Sequence, residues 1–290
     1  MKEFAGKVAV VTGAGSGFGR EFARIGASLG MKLVLADIQA DALAATASEL
    51  QARGVALVAE QVDVSQAEDV ERLARRTKEA FGKVHLLFNN AGVAAGGLVW
   101  EHSTRDWEWV LGVNLWGVIH GVRCFVPMML EQGDECHVVN TASVAGLLST
   151  QLMGVYNVSK HGVVTLTETL YNDLRLKGAN VGVTLLCPAY VPTGINQSER
   201  NRPPEAQPEG EETESMKAAR AAMDKAVTSG RISAEDVARM TFDAIRENRF
   251  YVVTHPKILS SVELRLQDIV AQRNPSDPFT FKKDVAVKKL

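Results

Sequence analysis

Residues 8–19 read Val8-Ala9-Val10-Val11-Thr12-Gly13-Ala14-Gly15-Ser16-Gly17-Phe18-Gly19, and a helical pattern follows from Arg20. A short apolar run of this kind predicts a buried strand, and the glycines after it predict a sharp turn into a helix. Glycine lets the backbone pass close to a pyrophosphate, while the first amides of the helix attract its negative charge. A glycine-rich turn alone says little. Its placement between strand and helix points to dinucleotide binding, with Gly13, Ser16, Gly17, Phe18 and Gly19 as contact candidates.

The same alternation continues outward. Leu33 to Ala36, Leu57 to Val62, Leu86 to Phe88, His137 to Asn140 and Val181 to Cys187 are further short apolar runs separated by amphipathic stretches. Such a series predicts right-handed βαβ crossovers and a parallel sheet covered on both faces. The expected fold is α/β, a doubly wound parallel sheet of Rossmann type in a three-layer α/β/α single domain, spanning residues 1–273.

Local signals set the boundaries. Ser65 with Glu68 forms a capping-box pattern before Val70, Leu73 and Ala74, and Gly82 closes that helix. Ser103 or Thr104 starts a long helical segment to about Leu130, with Pro127 a kink or boundary near its end. From about 190 to 229 the pattern dissolves into Asn, Arg, Pro, Glu and Gly, including Arg202-Pro203-Pro204 and Glu209-Gly210-Glu211-Glu212, and this polar insertion is expected to be a substrate lid. Ser233 with Asp236 caps a helix through about Asn248, Phe250 to Thr254 reads as a last strand, and Ile258 to Gln272 as a last helix. The tail, 274–290, is expected to be loosely held, its Lys282-Lys283 and Lys288-Lys289 pairs being solvated ends.

With 46% hydrophobic and 23% charged residues in 290, the composition is that of an ordinary globular chain. A net charge of -2 argues against a nucleic-acid or membrane-surface binder and fits a small-molecule substrate. Cys124, Cys136 and Cys187 are widely spaced and odd in number, and read as free thiols in a reducing compartment. Lys2, Glu3 and Lys7 interrupt any N-terminal signal pattern, so the expected localisation is cytoplasmic. The six histidines show no metal-ligand spacing, and no metal is expected. Trp100, Trp107, Trp109 and Trp116 read as helix packing or a subunit interface.

Asp37 ends the second strand about 20 residues beyond the glycine turn. A carboxylate there accepts hydrogen bonds from the adenosine ribose hydroxyls and repels a 2′-phosphate, which selects NAD over NADP. Ile38 follows it, so no cation replaces or directly follows the carboxylate.

Further marks appear in order: Asn89-Asn90-Ala91-Gly92, Asn114, Ser143, Tyr156-x-x-x-Lys160 and the segment Pro188 to Thr193. With the Thr12-Gly13-x-x-x-Gly17-x-Gly19 turn they make the chain resemble the short-chain dehydrogenase/reductase family over roughly residues 4 to 195. The resemblance implies catalysis by Asn114, Ser143, Tyr156 and Lys160. Tyr156 would take the hydroxyl proton of an alcohol as hydride leaves, helped by Lys160 one helical turn away and by the positive charge of the oxidised nicotinamide. Ser143 would hydrogen-bond the substrate oxygen, with Thr141 a nearby competitor, and Asn114 would hold a water linking Lys160 to solvent. Lys160 and Tyr156 would also contact the cofactor, as would Asn90, Ala91, Gly92, Val191 and Thr193, while Asp63 and Val64 would frame the adenine. A helix-start role competes for the Asp63 side chain.

The family often has Gly after the proline, where this chain has Pro188-Ala189-Tyr190. The reading that results is hydride transfer between NAD(H) and a secondary alcohol or ketone in a homodimer or homotetramer. An NADPH-dependent 3-oxoacyl thioester reductase is the alternative enzyme, and a noncatalytic dinucleotide-sensing protein the alternative of another class. Substrate choice is expected to depend on residues 94–98, 147–153 and 190–229.

Overall fold

A computed structural model of the chain describes residues 1–207 and 210–281. Glu209 and the Lys282-Lys283 and Lys288-Lys289 pairs lie outside the described residues. Seven strands form one parallel sheet: β1 (Val8–Thr12), β2 (Lys32–Asp37), β3 (Leu57–Gln61), β4 (Leu86–Asn89), β5 (Cys136–Thr141), β6 (Val181–Cys187) and β7 (Tyr251–Val253). Their spatial order is β3-β2-β1-β4-β5-β6-β7, so the chain reverses its direction of winding between β1 and β4. A crevice opens at such a switch point beyond the strand ends, where open parallel sheets bind ligands.

Helices cover both faces: α1 (Gly17–Ser28), α2 (Ala40–Gln51), α3 (Ala67–Phe81), α4 (Thr104–Leu111), α5 (Gly117–Gln132), α6 (Gly154–Lys177), α7 (Glu214–Thr228), α8 (Ala234–Glu247) and α9 (Leu259–Val270). Successive residues of β1 enter different cores, which is why the strand reads as an unbroken apolar run. Ala9 and Val11 face the core built on Phe22, Phe88 and Phe242, where Phe22 and Phe88 stack at 4.3 Å. Val8 and Val10 face the opposite core, with Leu73, Phe125 and Met129.

Several boundaries differ from expectation for identifiable reasons. Ser65 does not cap α3. Its hydroxyl donates to Asp63 at 2.7 Å, and Gln66 takes the cap position without a side-chain bond. Gly82 does close that helix, with φ 75°. Pro127 is no boundary, since α5 continues past it to Gln132. Ser233 forms the expected cap with Asp236, and Ser103, one of the two expected helix starts, caps α4 reciprocally with Asp106.

The polar stretch 190–229 is not structureless. It contains a 3₁₀ segment, Ile195–Asn201, a short turn at Pro204–Ala206, and the 15-residue α7 capped by Thr213. The Lys, Arg, Glu and Ala residues that hide α7 from a hydrophobic-pattern reading are good helix formers. The described part of the tail is also fixed: Ser276 N–H donates to Asp268 at 2.8 Å, and Phe279 is only 8% exposed.

Candidate active site

The ends of β1 and β4 are tied together by one hydroxyl. Thr12 Oγ1 donates to the Phe88 carbonyl at 3.2 Å and accepts from the Asn90 and Ala91 amides at 2.9 and 3.1 Å. Asn90 Nδ2 returns a bond to the Thr12 carbonyl at 3.0 Å. This pins Asn90, Ala91 and Gly92 beside the glycine turn. The turn itself needs a residue without Cβ at position 19, because a Cβ there would run into the Gly13 carbonyl and push α1 off the sheet.

Asp37 is oriented by two backbone amides. Its Oδ2 accepts from Gly15 at 2.8 Å and its Oδ1 from Gln39 at 2.9 Å. The carboxylate therefore joins the end of β2 to the glycine turn and still lines the cleft. The Asp63 carboxylate accepts from the Ser65 amide and hydroxyl at 2.9 and 2.7 Å just before α3, and with Val64 it borders the same cleft.

At the other end of the cleft, Tyr156 and Lys160 stand one turn apart near the start of α6. Ser143, just past β5, lines the cleft beside Tyr156 and favours the ionised form of its phenol. The Ser143 hydroxyl is further held by the Pro188 carbonyl at 3.3 Å and the Ala145 amide at 3.1 Å. Thr141, the competing hydroxyl, is turned instead toward Asn90 Oδ1 at 3.3 Å, and its carbonyl accepts from Lys160 Nζ at 3.0 Å.

Lys160 Nζ lies 5.6 Å from the centre of the Tyr156 ring. Burial pushes the Tyr156 phenol up to about 12, against the opposing pull of Ser143, and pushes the Lys160 amine down to about 8. In the protein alone, burial thus outweighs the ammonium that the spacing was expected to bring to the phenol.

Asn114 sits where the helix between α4 and α5 widens to π geometry, Gly112–Trp116, a distortion common at functional sites. Its side chain is fully buried and fully used: Oδ1 accepts from Val93 N–H at 2.8 Å, and Nδ2 donates to the Val93 carbonyl at 2.9 Å and to Ser159 at 3.0 Å. The side chain satisfies backbone groups beside the cleft.

Val191 and Thr193 also line the cleft, with Thr193 packed against Gly17. The absence of glycine after Pro188 costs nothing in backbone strain, because Ala189 does not take positive φ and its amide donates to Thr254 at 3.3 Å. The whole cleft encloses about 800 Å³, and every predicted site residue except Gly19 and Asn114 lines it directly. Sequence reading did not single out Arg200, the α7 residues Ala219 and Met223, or Phe279, which line it as well. Arg200 and Phe279 have no local pattern that marks them.

Comparison with known proteins agrees with this geometry. Residues 7–204 match the model of the short chain dehydrogenase family. A CLA biosynthesis dehydrogenase/reductase of Lactiplantibacillus plantarum is 33% identical over 278 residues, 95% of this chain and 97% of its own length. A C alpha-dehydrogenase of a Sphingobium strain is 30% identical over 96% of this chain and 90% of its own. A short chain dehydrogenase/reductase from Burkholderia phymatum, solved in complex with NAD, superposes with a TM-score of 0.95 at 60% identity, covering 96% of this chain and 99% of that one. A strand-turn-helix unit with a glycine turn, a crevice at the sheet's switch point and relatives matched along nearly the full length agree in one conclusion: this chain is an oxidoreductase belonging to the short chain dehydrogenase family.

Proposed function

We propose that the protein transfers hydride between NAD(H) and a secondary alcohol or the corresponding ketone. The observation that carries this reading is the meeting of Ser143, Tyr156 and Lys160 at one end of a single cleft whose other end is the glycine turn and Asp37. The dehydrogenase names of the relatives and the NAD held by the Burkholderia protein support it.

The cleft fits a dinucleotide. Gly13, Ser16, Gly17 and Phe18 border the space where α1 begins, Asp37 offers a carboxylate to ribose hydroxyls, and Asn90 to Gly92, Val191 and Thr193 flank the path to Tyr156. When bound there, the nicotinamide would supply the two-electron acceptor or donor. Tyr156 takes the hydroxyl proton of the alcohol, and Ser143 orients the oxygen that loses it. Lys160, carrying its proton below about pH 8, provides the positive field that lowers the cost of a phenolate. The Asn114 side chain is committed to Val93 and Ser159, so it braces the backbone beside the cleft, and a relay water beside Lys160 would need a further partner. Trp116 and Val158, each about half exposed at 52% and 50%, leave apolar surface on the helical segments that carry Asn114 and Tyr156, which supports a homo-oligomer.

The test is to compare initial rates with NAD and NADP across a panel of secondary alcohols, reading the absorbance of the reduced cofactor. Turnover with a clear NAD preference is expected. A strong NADP preference overturns the cofactor assignment, and NADH binding without turnover of any alcohol or ketone overturns the enzymatic one.

A further inference from the structure

Beyond Arg273 the chain enters a segment that lies outside the 7–204 family match, yet it reaches the catalytic end of the cleft. Three sets of bonds hold it. Arg273 donates from Nε and Nη2 to Asp268 Oδ1 at 3.1 and 2.9 Å, and the Ser276 amide donates to Asp268 Oδ2 at 2.8 Å. Asp277 then accepts from the Phe279 amide at 2.8 Å and from Gln151 Nε2 at 3.4 Å. Gln151 stands five residues before Tyr156, so this last contact sets the tail against the approach to the catalytic helix. The product of these bonds is a phenyl ring, Phe279, buried in the cleft wall.

Phe279 shares the cleft with apolar residues from other segments. The Gly97 amide donates to the Leu152 carbonyl at 2.8 Å, with Leu152 held at φ 58°, a conformation rare for leucine that gathers at ligand clamps. Gly96 lets α7 come close: a Cβ on it would stand 2.7 Å from the Ala219 Cβ and 3.4 Å from the Met153 sulfur. Leu152, Met153, Ala219 and Met223 all line the cleft with Phe279. These five apolar side chains reward an apolar group where it meets them, in a cleft that Arg200 and Lys225 also line.

We propose that the C-terminal segment 274–281 closes the substrate end of the cleft, and that Phe279 is a specificity-determining residue selecting secondary alcohols or ketones that carry an uncharged, ring-sized apolar group. This rests on the dehydrogenase reading and adds the substrate class to it. Phe279 touches the body of the substrate, away from the reacting oxygen, so it governs binding of bulky substrates and leaves the proton transfer alone.

The test uses the full chain and two alcohols, 1-cyclohexylethanol and propan-2-ol. Their binding to the enzyme with NADH is followed by NADH fluorescence, which needs no turnover. Phe279→Ala is expected to weaken 1-cyclohexylethanol by about tenfold or more while leaving propan-2-ol and NADH binding unchanged, and Phe279→Leu to restore most of the loss. Asp277→Ala, which frees the tail but keeps the ring, should act in the same direction. Equal effects on the two alcohols, or no effect on either, overturn the role of the tail while NADH binding leaves the cofactor reading intact. Absence of NADH binding by the unaltered protein overturns the dehydrogenase reading and this proposal together.

Discussion

Arg202 and Asp106 form a buried ion pair, Nη1 to Oδ1 at 2.8 Å, with side chains 3% and 5% exposed. The guanidinium also lies 4.0 Å from the centre of the Trp109 ring and bonds Glu199 at 2.6 Å. Burial alone would raise the Asp106 pKa, but the neighbouring His102, with Ser103 and Arg202, holds it well below the usual carboxylate range. This pair fastens the first turn of the 190–229 segment to α4. Removing one partner strands the other charge, so Arg202→Met should cost roughly 3 kcal/mol. The urea midpoint should fall and proteolysis within 190–229 should quicken. The double variant Arg202→Met/Asp106→Leu should lose less than the two single losses added together. Unchanged proteolysis in Arg202→Met would show that the pair does not hold the segment.

Tyr156→Phe removes one oxygen and keeps the ring that packs beside Lys160. Turnover should fall by roughly 10²–10⁴-fold while NADH affinity is kept, because general acid–base transfer is lost and the cradle at the glycine turn is untouched. Single-turnover kinetics with fluorescence titration of NADH separates the two. Near-normal turnover would remove Tyr156 from the proton step.

Asp37→Asn keeps the shape of the side chain and removes the charge that repels a 2′-phosphate. The ratio of kcat/KM for NAD to that for NADP should drop about tenfold or more, which corresponds to about 1.4 kcal/mol of lost discrimination. The two amide bonds from Gly15 and Gln39 can still be accepted by the one remaining amide oxygen only in part, so some loss of NAD affinity should accompany the change. A ratio that stays constant would mean that discrimination resides elsewhere in the cleft.

The sheet was legible because its signals are local. A buried parallel strand must be apolar on both faces, and β6 was delimited by that property from Val181 to Cys187. The glycine turn and the Tyr156 to Lys160 spacing were legible for a similar reason, since each is confined to a few neighbouring residues. What escaped depends on contacts distant in sequence. Nothing around Phe279 announces that Gln151 will hold Asp277, 126 residues away, and so turn a polar tail into a wall of the cleft. α7 escaped because its buried positions are few, Ala219 and Val227 among them, and its polar residues suit a helix as well as a loop. The π turn that commits the Asn114 side chain to Val93 and Ser159 leaves no mark in residue type.

The buried Lys160 amine makes function and stability oppose each other in a way that pH can expose. Burial lowers its pKa from the ordinary 10.5 to about 8, and Cys187, its titratable neighbour, is itself pushed up to about 12 by burial and gives no counter-charge at neutral pH. Below about pH 8 the lysine is protonated in both folded and unfolded chains, so the full penalty of burying the charge is present there. Between about 8 and 10.5 the unfolded lysine holds more proton than the folded one, and stability rises with pH across that window. A depression of this size corresponds to about 3 kcal/mol. Lys160→Met removes the penalty and also the bond to the Thr141 carbonyl, worth roughly 1 kcal/mol. At pH 7 the variant should therefore be more stable than the unaltered protein by about 2 kcal/mol, while turnover is lost. Its advantage should shrink as pH rises from 8 to 10. Urea unfolding of both proteins at pH 7, 8.5 and 10 measures this directly. A difference that does not change with pH would mean that the amine is not desolvated in the folded protein, and that its positive field on Tyr156 is screened by water.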